Sequence, residues 1–261
     1  MNVAATPFRW REYAIEAALL ATFMMSAVGF AALLEYPDSP IRQALPSAAL
    51  RRSLMGVAMG LTAAAIIYSP WGRRSGAHIN PSITLTYLRL RKISSRDATF
   101  YVAAQFLGAI AGLTAAAAML PGIAGSRQVN YVATVPGSSG VVAAFVAEAA
   151  ISFGMAAMIL TVSNTRRLSR FTGVLAACLV ALYISVESPI SGMSMNPARS
   201  FAPAIAAGSL RTWWLYIVAP LTGMLGAAEI YIRRHGHGAV LCAKLQHGTD
   251  GACHFHCLYG Q

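Results

Sequence analysis

Two stretches of the chain repeat one arrangement of polar residues: SGAHINPS, beginning at Ser75, and SGMSMNPARS, beginning at Ser191. Each contains an Asn-Pro pair, Asn80-Pro81 and Asn196-Pro197. Asparagine is a preferred helix N-cap and proline a preferred first helical residue, so each pair predicts the start of a helix. A helix N-terminus carries about half a positive elementary charge, and an asparagine amide adds N–H donors for an oxygen atom. Arg199 follows Asn196 by about one turn. Such residues can orient an uncharged oxygen and repel a cation. No Ser/His/Asp or paired-carboxylate constellation supports an enzyme.

A third cluster lies in HGHGAVLCAKLQHGTDGACHFHCLYGQ, from His235 onward. Cys242, His247, Cys253 and Cys257 are ligands of the types that hold zinc tetrahedrally. Their spacing matches no standard zinc finger, and a tail with incidental thiols is the competing reading. On a cytoplasmic face disulfides are disfavoured. Cys178, inside an apolar run, reads as a small hydrophobe.

The elements that must position these residues are apolar. Of 261 residues, 56% are hydrophobic and 11% charged, with a mean hydropathy of +0.55. A soluble domain carries about 25% charged residues. The apolar residues fall in runs: Ala14–Leu34, Leu54–Ser69, Ala98–Leu120, Val141–Val162, Phe171–Val186 and Trp213–Ile232. Most approach the ~20 residues a helix needs to cross a bilayer. They lack the amphipathic periodicity of helices packed in a soluble core. The chain therefore reads as a polytopic helical membrane protein. Its first run is too long, and too promptly followed by others, for a cleaved signal peptide.

The net charge of +11 is a topology signal. With both termini in the cytoplasm, fourteen Lys and Arg of the flanks and loops fall inside and five outside. That is the bias of the positive-inside rule in a cell membrane, and it removes the need for a nucleic-acid partner.

Three apolar runs separate the two Asn-Pro segments, so the segments enter the membrane from opposite faces. Ala104-Gln105-x-x-Gly108 in the third run answers Ala219-Pro220-x-x-Gly223 in the sixth, as expected of inverted halves. After each Asn-Pro about ten residues remain helix-compatible, Asn80 to Arg91 and Asn196 to Gly208, with a kink expected at Pro203. Such a helix is ~15 Å long, half the hydrocarbon thickness. Two half-helices would thus meet tip to tip at mid-membrane, repelling cations. Arg199 at that depth costs at least a few kcal/mol unless it faces water or a partner. An aqueous passage removes the cost; a structural clamp on loop carbonyls is the alternative. Gly108 and Gly112 form a Gly-x-x-x-Gly pair that lets helices approach closely.

The doubled motif, with YVAAQFLGAIAG from Tyr101 and Glu-containing spans, resembles the aquaporin (major intrinsic protein) family over about residues 12–232. The resemblance implies an all-α membrane fold of six spans and two re-entrant half-helices. It also implies one pore per subunit, a homotetramer in lipid, no required cofactor, and passive passage of water or small uncharged solutes. Asn80 and Asn196 would line the constriction, and Arg199 the outer filter. The other filter positions would be Met59 (or Gly60), Ile184 and Met193, more apolar than the aromatic and histidine usual in water channels. Ser82 replaces an alanine in the first box. Ser200 and Tyr216 are water-channel-like, whereas Ile217 is not. Glu148 matches a buried glutamate that supports a re-entrant loop. Its counterpart in the first half would be Ala18 by register, with Glu16 two residues earlier. His78 would pack at the cytoplasmic vestibule. The expected division is a cytoplasmic N-terminus (1–11), a channel domain (12–232, halves 12–120 and 139–232) and a Cys/His-rich cytoplasmic tail (233–261) with zinc as its candidate metal. A glycerol facilitator and a secondary transporter are the alternatives; the latter would need titrating carboxylates at the midplane.

Overall fold

A computed structural model describes residues 8–247, 253, 255 and 257–259. Residues 1–7 of the N-terminal segment and the rest of the tail lie outside the described residues. The chain runs α1 (Trp10–Glu35), a short α2 (Pro40–Ala44), α3 (Ala48–Tyr68), a short α4 (Pro70–Ser75), α5 (Pro81–Arg89), α6 (Ser95–Met119), α7 (Gly140–Ser163), α8 (Thr172–Val186), a single-turn α9 (Ser188–Ser191), α10 (Pro197–Ala206) and α11 (Leu215–His235). Among the described residues six helices are long and apolar enough to span: α1, α3, α6, α7, α8 and α11, the last two counted with the turns that lead into them.

The second span begins earlier than its apolar run. Ser47 caps α3 by accepting from the Leu50 amide, which places Arg51 and Arg52 in the first turns. Arg51 is buried, and its charge is matched by Glu35 at 3.1 Å and by the carbonyls of Leu45 and Pro46. Hydropathy alone misses these turns because it treats a paired arginine as a solvated one. The half-helices are slightly shorter than their helix-compatible stretches, and α10 stays helical through Pro203 to Ala206.

The main packing pairs are α1 with α6, α3 with α8, and α7 with α11. Each uses a missing Cβ. A Cβ on Gly108 would stand 2.2 Å from the Ala17 carbonyl oxygen, and one on Gly223 would stand 2.2 Å from that of Ala149. These contacts are equivalents in the inverted halves. The residue before each touched alanine is a glutamate, Glu16 and Glu148. Gly60 is likewise used against the Ala177 carbonyl of α8, at 2.5 Å.

With an even number of spans, α1 begins and α11 ends on one face, here called the tail face. The loop leading to α5 enters from that face and the loop leading to α10 from the opposite one. Each half-helix returns to the face it came from.

Because the obstacle at Gly108 is backbone, Gly108→Val is expected to destabilise the fold by ~2 kcal/mol or more. Gly226→Ala, whose Cβ meets ordinary contacts from 3.7 Å outward, should leave it unchanged. The unfolding midpoint in detergent, followed by tryptophan fluorescence, checks both.

Candidate functional site

The two re-entrant loops are built alike, residue for residue. Gly76, Ala77 and Ile79 have φ of +100°, +54° and +41°; Gly192, Met193 and Met195 have +86°, +52° and +55°. Left-handed backbone at a non-glycine costs on the order of 1–3 kcal/mol, so surrounding contacts must enforce it. Buried carboxylates do so. Glu16 accepts from the Ser75 hydroxyl at 2.7 Å and from the amides of His78 and Ile79 at 3.1 and 2.6 Å. Glu148 accepts from the Ser191 hydroxyl at 2.7 Å and from the amides of Ser194 and Met195 at 2.7 and 2.8 Å. Each serine hydroxyl in turn accepts from the amide two residues on, Ala77 or Met193. Tyr101 and Tyr216 donate their hydroxyls to the Ser75 and Ser191 carbonyls.

Glu16, not Ala18, therefore answers Glu148. The physical reason is the height at which α1 docks: Gly108 seats on Ala17 as Gly223 seats on Ala149, placing the preceding glutamate under each loop. The first half adds Gln105, whose amide donates to Glu16 at 2.9 Å and to Thr84 at 3.1 Å.

The tips then bind each other. Asn80 accepts from the Ser82 amide through Oδ1, capping α5, and donates Nδ2 to the Met195 carbonyl at 2.8 Å. Asn196 caps α10 through the Ala198 and Arg199 amides and donates Nδ2 to the Ile79 carbonyl at 2.7 Å. Each asparagine thus caps its own helix and ties down the last loop residue before the other.

A cavity of about 420 Å³ runs past these tips. Its wall reaches from Glu35, Ala48 and Arg52, at the face opposite the tail, to Ile67 and Leu245 at the tail face. Asn80, Asn196, Arg199, Met59, Ile184, Met193 and His78 all stand on this one wall; Gly60 does not, being packed on α8. Arg199 Nη1 is buried without a protein acceptor among the described residues. Ser200 and Tyr216 stay off the wall. Ser200 joins Thr134 and Ser194 hydroxyls at 2.6 Å each.

His78 is fully buried, with Nδ1 3.1 Å from Thr84 Oγ1 and Nε2 2.8 Å from the Ala243 carbonyl. A carbonyl can only accept, so Nε2 carries the hydrogen. The ring stacks between Tyr87 and Phe255. Cys242, His247, Cys253 and Cys257 bring their ligand atoms within 4.8 Å of one another, and this cluster could hold a metal ion.

Four contributors were not legible in the sequence: Gln105, Tyr101, Phe255 and Glu187. The repeated serines ahead of Gly76 and Gly192 were the available signal for the loop network. Glu187, just beyond α8, is buried; the Ser191 hydroxyl near it is turned to Glu148. Burial, with repulsion from Glu148, pushes the Glu187 carboxyl up to about 7.

An inverted helical repeat whose half-helices join around a membrane-traversing cavity defines the class of this molecule. The family model for "Major intrinsic protein" matches residues 4–231, and the chain belongs to that family. It is 35% identical over 178 residues to Aquaporin NIP1-1 of Oryza sativa subsp. japonica, a match covering 68% of this chain and 61% of that protein. It is 36% identical over 230 residues to Aquaporin-5 of Sus scrofa, covering 84% and 79%. The fold is that of the aquaglyceroporin from Plasmodium falciparum, with a TM-score of 0.71 at 18% identity, over 85% of this chain and 95% of that one.

Glu148→Ala is expected to orphan three donors at ~1–3 kcal/mol each and to lower the detergent unfolding midpoint sharply, while Glu148→Gln keeps part of the network. For Glu187, the folded state holds a proton that the unfolded chain loses near 4.5. Stability should therefore fall as pH rises from about 4.5 to about 7 and level off above. Thermal melts should show Glu187→Gln raising the midpoint at pH 8 and matching the parent at pH 4.5.

Proposed function

We propose that this chain is a passive transmembrane channel for water and small uncharged solutes that excludes protons and ions. One observation carries the reading: a single cavity, with residues from both membrane faces on its wall, passes two helix N-termini whose caps, Asn80 and Asn196, both stand on that wall. Each tip brings about half a positive charge, so a cation meets roughly one full charge in a low-dielectric setting. Each asparagine amide has two N–H groups and uses one across the tips, leaving one as donor to a passing oxygen.

Arg199 acts in this reading as the outer filter, with a guanidinium nitrogen that has no protein acceptor among the described residues. Met59, Ile184 and Met193 complete that ring with aliphatic and thioether surface. Pore diameter and lining donors decide selectivity in such sites. An aliphatic ring beside one arginine suits water and also small polyols or urea, so a glycerol-conducting variant of the same function is included. Relatives named as aquaporins and a fold neighbour named as an aquaglyceroporin support both solute classes. The reading places both termini in the cytoplasm, on the strength of the positive charge bias, and assembles the chain as a homotetramer in the cell membrane by family resemblance. It involves no chemical step. In the tail, three thiolates and an imidazole make zinc the favoured metal.

Stopped-flow light scattering on proteoliposomes tests the function. The protein should speed osmotic shrinkage several-fold over empty vesicles, with weak temperature dependence and no need of a proton or sodium gradient. Arg199→Val should raise glycerol and urea flux several-fold and admit protons, read with an entrapped pH dye. Saturable, gradient-dependent flux would instead indicate a secondary transporter.

A further inference from the structure

The tail does more than follow α11. Val240, Cys242, Ala243, Leu245 and Phe255 are buried and pack into the main core beside Ile66, Ile67, Tyr87 and Ile93. The segment is fastened to the first re-entrant loop at several points. The Leu245 amide donates to the Gly76 carbonyl at 3.1 Å, and the Ala243 carbonyl accepts from His78 at 2.8 Å. Phe255 stacks on His78 at 5.4 Å between centroids and lies against Gly76, where a Cβ would meet its ring at 2.9 Å. The Leu241 amide donates to Asn164 Oδ1 at 2.6 Å. As a result Leu245 is part of the cavity wall at the tail face, in the same enclosure as Asn80 and Arg199.

Almost nothing in the tail's own sequence explains this order. Beyond α11 the described tail has one 3-10 turn, His237–Ala239, as regular structure. Segments this short rarely hold a fixed shape without a disulfide, a metal or a partner surface. The core surface under the segment is one such restraint, and the four-ligand cluster supplies a second. Cys242 Sγ lies 3.5 Å from Cys253 Sγ, and His247 Nε2 lies 3.1 Å from Cys257 Sγ. Tetrahedral zinc with bonds of about 2.3 Å to sulfur and 2.0–2.1 Å to nitrogen has ligand–ligand edges of roughly 3.6–3.8 Å. All four atoms lie within 4.8 Å of one another, so closing on the ion takes shifts of about an ångström or less. Three thiolates around a divalent ion leave one net negative charge. Lys92 interacts electrostatically with Cys242 and Cys257, and Lys244 with Cys253, so cations of the opposite sign stand beside the cluster.

We propose that the tail is a zinc-dependent plug: Cys242, His247, Cys253 and Cys257 bind one zinc ion, which holds residues 240–245 against the tail-face mouth so that Leu245 obstructs the passage. The proposal rests on the channel reading above. Loss of zinc frees the segment from its restraint, releases His78 from Ala243, and opens the mouth.

The full-length protein is purified, its zinc measured by elemental analysis, and its cobalt-substituted form read for the thiolate charge-transfer and tetrahedral d–d bands of a Cys₃His site. Osmotic permeability of proteoliposomes is then compared with added zinc and with a membrane-permeant chelator. About one zinc per chain is expected, with chelation raising permeability several-fold and zinc restoring the low state. The pair Cys253→Ser/Cys257→Ser should stay in the high state and ignore zinc, whereas Leu245→Ala should keep its zinc and conduct faster. Failure to retain zinc, or bound zinc with the same permeability after chelation, overturns the proposal while leaving the channel intact. Permeability no better than protein-free vesicles in every form, chelated included, overturns the channel reading itself. If the double variant misfolds on gel filtration, the chelation comparison on the parent protein decides.

Discussion

The two half-helices are tied to each other at their tips and braced by buried carboxylates beneath their loops. Non-helical backbone at that depth must satisfy every N–H and C=O within the protein. Asn80 and Asn196 meet this demand at the tips by crossing, each donating to the carbonyl that precedes the other. Glu16 and Glu148 meet it below, each collecting a serine hydroxyl and two amides. The left-handed residues in both loops accompany this arrangement, in which successive amides turn toward one carboxylate. The tip geometry depends on these bonds, and the cation barrier proposed above would depend on them too.

The same interaction explains why small residues lie where they do. A glutamate can reach a re-entrant loop only if its helix docks at the right height, and backbone contact at Gly108 and Gly223 sets that height in each half. Gly60 does the corresponding work between α3 and α8, turning the neighbouring Met59 onto the cavity wall. Packing between helices thus reaches through to the residues on the cavity wall. The filter proposed above would draw its side chains from two spans, one half-helix and one loop, with Arg199 as its polar member beside Met59, Ile184 and Met193.

The inversion is not perfect, and its departures are informative. The first loop carries His78 where the second carries Ser194, and Gln105 where the second half has Pro220. Ser194 turns inward, to Ser200 and to the loop's own backbone. His78 instead reaches outward, to the tail. One face of an otherwise symmetric pathway therefore has a handle to which a further segment can attach, and the buried positions of Ala243, Leu245 and Phe255 show that it is held.

Much of the architecture could be read from residue order, since membrane spans are dictated by length and apolarity, and half-helices by the Asn-Pro caps. An odd number of spans between the copies was enough to invert them. Hydropathy could not place the start of α3, because the cost of Arg51 vanishes only once Glu35 and two carbonyls surround it. Nor could alignment of the halves choose between Glu16 and Ala18, a matter settled by where two helices touch. The four metal-type ligands were visible as residue types, but their convergence required the folded tail, and the docking of that tail on the first re-entrant loop brought together segments far apart in sequence. Local chemistry determined what each piece could be; contact across distance determined which atoms faced one another.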